Sequence, residues 1–164
     1  MSEASTVHED TVMAAIGAAV EQGRAGDRAE ARDSLTRLWE SVGENGDALH
    51  RCSIAHYLAD LQDTVADELA WDQRALAAVT DLDDERARRF DESLQVRAFL
   101  PSLHLNLADA YRRAGRPDEA RHHLAAAAVG LDLLPDDEYG SMIRTGVTRV
   151  SEAVAAASQE PLSA

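Results

Sequence analysis

Cys52, His56 and Asp60 stand four residues apart. In a helix that spacing brings all three side chains to one face, and thiolate, imidazole and carboxylate are all zinc ligands. His50 lies close in sequence but about 120° around the helix from His56. The stripe therefore admits a small-ligand or metal-binding sensor. It is one ligand short of a tetrahedral site, and no C-x-x-C or H-E-x-x-H pattern stands beside it. The alternative is a polar lining with Cys52 partly buried, because an unpaired cysteine packs as a small hydrophobe. No cofactor is implied. The chain has no phosphate-cradling glycine loop, no dinucleotide fingerprint and no nucleophile with a base at a recognisable spacing, so it does not read as an enzyme.

Charge narrows the partners. Sixteen basic residues against thirty acidic ones give a formal charge of -14. That repels phosphate backbones and anionic lipid, which argues against nucleic-acid and membrane-surface roles. It serves solubility, with a basic partner as the alternative. A single cysteine allows no internal disulfide, as in a reducing compartment. The run Val12 to Val20 is too short to span a membrane. These features read as soluble and cytoplasmic.

The length of 164 residues fits one domain. Aromatics make up only 4%, so the core must come from Ala, Leu and Val, which suits closely packed helices. The spacing predicts an all-α chain of about 7–8 helices. Thr6 and Glu9 form a capping box, so the first helix should start near Thr6. Met13, Ile16 and Val20 give it a stripe, and Gly26 closes it. Leu35, Leu38 and Trp39 point inward from a second helix, about 27–42. Asp47 can cap a third helix to about Gln62, and Asp63 stands at the turn before a fourth, about 65–80.

Pro101 to Pro135 reads as two helices folded through a tight turn. Leu103, Leu107, Ala110, Tyr111 and Ala114 share one face. Gly115 ends the first helix and Pro117 opens the second. The same turn occurs earlier. Arg24-Ala25-Gly26, Glu30-Ala31-Arg32 and Leu35 match Arg113-Ala114-Gly115, Glu119-Ala120-Arg121 and Leu124, at an offset of 89 residues. In both copies the Gly makes the turn and the Ala lets two helices approach.

The 101–135 unit resembles the tetratricopeptide repeat, or TPR, at Leu107-Ala108, Tyr111, Gly115, Ala120 and Ala127. His104 replaces the usual Trp, and the closing Pro comes late, at Pro135. The resemblance implies an α-solenoid in one domain. Repeat one covers about 6–42, repeat two about 47–80 and repeat three about 101–133. An inserted helix covers about 83–99, a capping helix about 137–157, and a disordered tail 159–164. The insertion carries Arg86, Arg88, Arg89 and Arg97, which pair with Asp83, Asp84, Glu85, Asp91 and Glu92 on a solvated helix or form a binding patch.

The resemblance also implies a function: a protein-interaction module that binds a peptide or partner protein in a concave groove lined by first helices. By position the groove would present Cys52, His56 and Asp60 from repeat two and Leu105, Asn106, Asp109, Arg112 and Arg113 from repeat three. Asp109 would be the further ligand if the stripe held metal. No Lys stands in the three first helices, so the family's Lys-based carboxylate clamp is missing, and Arg112 and Arg113 are its possible substitutes. His122 and His123 fall on a second helix, hence on the solvated outer face, while His104 should be a hydrogen-bonded core histidine. Trp39 and Trp71 should wedge adjacent repeats.

Overall fold

The computed structural model describes residues 10–86 and 96–162. Helices make up the ordered elements and no strand occurs among the described residues. Helix α1 spans Thr11–Arg24, α2 Arg28–Val42, α3 Ala48–Ala59 and α4 Val65–Val79. Helix α5 spans Val96–Arg113, α6 Pro117–Val129 and α7 Glu138–Ala155, with a 3-10 turn at Leu131–Leu133. The fold is all-α.

Side-chain caps set where α1, α3, α4 and α7 begin. Asp10 accepts the Met13 N–H and starts α1, later than the capping box predicted, and residues 1–9 lie outside the described ones. Asp47, Thr64 and Asp137 do the same for α3, α4 and α7, each satisfying a backbone donor that has no helical partner.

Helices α1 and α2 pair, as do α3 with α4 and α5 with α6. Helix α2 packs on α3, α4 on α5, and α7 covers both α5 and α6. The first and third turns are alike. Gly26 and Gly115 adopt φ of 106° and 76°. Asp27 N–H donates to the Gln22 carbonyl at 3.1 Å, and Arg116 N–H to the Tyr111 carbonyl at 2.9 Å. Each bond closes the end of a helix around a left-handed residue. Ala31 and Ala120, five residues on, are both wholly buried.

The middle turn is built differently. Asp63 does not take the left-handed conformation expected of it, since Ala157 is the only described non-glycine with positive φ. Arg28 instead donates to the carbonyls of Asp60 and Gln62, and Arg32 donates to the Leu61 carbonyl and the Asp63 carboxylate. Two arginines from α2 thus satisfy the orphan carbonyls that end α3.

Three apolar clusters run along the chain. Ile16, Leu35, Ile54 and Leu58 pack at one end. Leu49, Ala55, Ala75, Ala78 and Leu103 form the middle. Leu107, Tyr111, Ala120, Leu124 and Val150 form the other end. Trp39 and Trp71 meet edge to face at 5.1 Å where α2 meets α4, joining hairpins as expected.

The insertion falls mostly on residues outside the described ones, 87–95, so Arg88 and Arg89 are not placed. Arg86 does not pair with the acids of its own segment as expected. It reaches the carboxylates of Asp10 and Asp47, and so ties together the caps of α1 and α3. Helix α5 begins before Pro101, as the sequence suggested for the end of the insertion.

Candidate functional site

An open groove of about 770 Å³ runs between α5 and α7. Leu105 and Asn106 line it from α5, and Ser141, Met142, Thr145 and Arg149 line it from α7. Asp137 and Glu138 stand at the start of α7. Gly146 keeps the helices close, because a Cβ there would lie 2.7 Å from Leu105 Cδ2. Met142 is 60% exposed within the groove. An exposed, flexible thioether beside polar groups is a surface that adapts to a ligand.

Asn106 links this groove to the stripe on α3. Its amide nitrogen sits 3.3 Å from His56 Nδ1. Burial pushes the His56 pKa down, and Asp60 one turn later opposes the shift. Asp60 ends α3 with an exposed edge. The protein around the helix end raises its pKa by desolvation, and Glu68 adds repulsion.

The remaining predicted groove residues are engaged inside the molecule. Arg113 donates to Asp109 at 2.9 Å and to both Glu68 oxygens at 2.6 and 2.9 Å. The bidentate grip on Glu68 ties α5 to α4 and holds the guanidinium charged well above its ordinary range. Arg112 is 3% exposed. It holds Asp109 at 2.6 Å and donates to the carbonyls of Ser158 and Glu160. Neither arginine is an open carboxylate receptor. The segment read as a disordered tail is fixed here up to Leu162, which packs against the α5–α6–α7 core. Residues 163–164 lie outside the described ones.

The zinc reading is not supported by the geometry. Among the described residues no three His, Cys, Asp or Glu side chains are placed to hold a metal ion, so Cys52, His56, Asp60 and Asp109 do not form a ligand set. Cys52 is buried against Leu49 and Ala55, and burial pushes its thiol pKa up to about 12. It stays a neutral thiol, neither a ready ligand nor a nucleophile.

His123 is also not the solvated residue expected. It stacks between Tyr111 and His104, at 5.3 and 5.2 Å, with its Nδ1 3.0 Å from that of His104. Burial, then repulsion from His104 and His122, pushes its pKa down to about 4. His104 is hydrogen-bonded as expected, and His122 is exposed.

Sequence reasoning missed Glu68 and Asp72, because α4 was read as a purely structural second helix. Asp72 is 2% exposed, and its Oδ2 has no hydrogen-bond partner. Burial pushes its pKa up to about 8, with Glu68, Asp60 and Asp109 adding repulsion. The signal was present: Asp72 lies three residues before Ala75 and seven before Val79, on the apolar stripe of α4. No helix among the described residues is long and apolar enough to cross a membrane. Compared with protein-family models, curated proteins and solved structures, the chain matches none.

Proposed function

We propose that this chain is a TPR-like helical-repeat adaptor that binds a protein or peptide partner in the groove between α5 and α7. One observation carries the reading. An open groove of about 770 Å³ lies between α5 and α7, presents an exposed Met142 and has Asp137, Glu138 and Arg149 in its lining. A peptide laid there would bury apolar area, while Glu138 and Arg149 would set its direction. The like turns at Gly26 and Gly115 support a repeat origin, since a hairpin that cannot bury its own face stacks on its neighbours. The formal charge of -14 supports a protein partner over nucleic acid or an anionic membrane, and the single cysteine fits a reducing, cytoplasmic setting. Selection of a random peptide library on the immobilised protein tests this. Enriched peptides should lose binding to Met142→Asp, and a selection that enriches nothing overturns the reading.

A further inference from the structure

A second cavity, of about 240 Å³, lies where α1 and α2 meet α3. It shares no lining residue with the α5–α7 groove. It is smaller than the roughly 300–1,000 Å³ of a drug-sized site, so it suits one small molecule. Ala19, Val20, Leu35 and Leu61 give it aliphatic walls, and Arg24, Arg28, Tyr57 and Asp60 complete the lining. Burial pushes the Tyr57 pKa up and Arg24 opposes the shift, so that guanidinium stands near the phenol. Arg24 pairs with Glu21, but the two side chains are 69% and 71% exposed, and such a pair contributes little. A ligand carboxylate can therefore displace Glu21. Arg28 spends its donors on the main-chain carbonyls of Asp60 and Gln62, and so braces the end of α3 without taking the Asp60 carboxylate.

We propose that this cavity binds a free α-amino acid with an aliphatic side chain. The ammonium group meets the Asp60 carboxylate, the carboxylate meets Arg24 and the Tyr57 hydroxyl, and the side chain lies on the aliphatic walls. Charge selects this class. A simple cation would meet Arg24 and Arg28 in the same small space, and a simple anion would meet Asp60 and a chain of formal charge -14. A zwitterion has no net charge, and each of its poles finds the opposite sign in one lining. A guanidinium holds a carboxylate through two parallel N–H donors, which fixes the orientation of the ligand. The walls come from α1, α2 and α3, so the ligand touches the first hairpin and the second at once. Binding to that folded arrangement alone raises its stability by mass action.

The probe is L-leucine, compared with three analogues that each lack one part: N-acetyl-leucine without the ammonium, isoamylamine without the carboxylate, and glycine without the side chain. NMR titration of the full chain follows binding, and melting curves follow stabilisation. Millimolar leucine should shift the Val20, Tyr57 and Leu61 amides and raise the melting temperature. Each analogue should bind at least tenfold more weakly. Asp60→Asn should weaken leucine tenfold or more and leave N-acetyl-leucine unchanged. Arg24→Gln should weaken leucine to a similar degree and leave isoamylamine unchanged. Both substitutions fall at exposed positions, and the analogue comparison needs no variant. The proposal is overturned by no shift with millimolar leucine, by any analogue that binds as tightly as leucine, or by wild-type leucine affinity in either variant.

Discussion

Gly26 and Gly115 make the same turn 89 residues apart in the chain, each left-handed and each five residues before a fully buried alanine. An added Cβ at Gly26 would meet nothing within 4 Å, so strain there is purely a backbone matter. Gly26→Ala should cost about 1 kcal/mol. Gly115→Ala should cost a similar amount, since only the yielding Gln159 side chain lies near. Ala31→Leu and Ala120→Leu should each cost about 1–3 kcal/mol by overpacking. Urea unfolding checks all four, and wild-type midpoints would contradict the shared turn.

Arg112 fastens the segment after α7. Arg112→Met keeps the stem but removes the bonds to Ser158 and Glu160. The loss should be about 1–3 kcal/mol, because charge-assisted hydrogen bonds made by a buried guanidinium are removed. The backbone amides of Gln159 and Glu160 should then exchange with deuterium much faster than in wild type. Equal exchange rates would show that the segment is held by something else.

Asp72 sets a pH slope. Its folded pKa, about 8, stands above its ordinary value of 3.8, so the folded state binds the extra proton between those limits. Stability should therefore fall as pH rises from about 4 to 8. Asp72→Asn should flatten that slope and raise the melting temperature at pH 8, by an effect on the order of a few kcal/mol. Melting curves from pH 5 to 9 decide it, and parallel curves for the two proteins would contradict the buried-acid account.

His123 acts in the opposite direction. Its folded pKa, about 4, stands below the ordinary 6.5, so the unfolded chain binds the extra proton between them. Stability from this group is present above about 6.5 and drains away as pH falls toward 4. His123→Phe keeps the stack on Tyr111 and should remove that acid loss. NMR titration of the imidazole checks it directly, and an ordinary midpoint would contradict the packed arrangement.

Helical periodicity and glycine spacing made the fold readable, because Gly26, Ala31 and Leu35 repeat at Gly115, Ala120 and Leu124 in both sequence and burial. The middle turn was not readable. Its support comes from Arg28 and Arg32 on another helix, and no local signal reports a long-range cap. The groove was half readable. Leu105 and Asn106 were found from their helix, whereas the wall from α7 depends on how that helix leans on α5. Arg112 and Arg113 were misjudged as open because their partners Glu68, Ser158 and Glu160 are distant in sequence. An arginine at a groove position looks the same in sequence whether it meets a ligand or its own chain.

The groove between α5 and α7 is tested most directly by the affinity of one selected peptide for three proteins, read by fluorescence anisotropy. Met142 is 60% exposed in the groove and Val129 is 83% exposed at the end of α6, outside its lining, so neither substitution should disturb the fold. Met142→Asp should weaken the peptide about tenfold or more, a loss of about 1.4 kcal/mol, while Val129→Asp should bind as wild type. Wild-type affinity in Met142→Asp, with binding lost in Val129→Asp, would contradict the account.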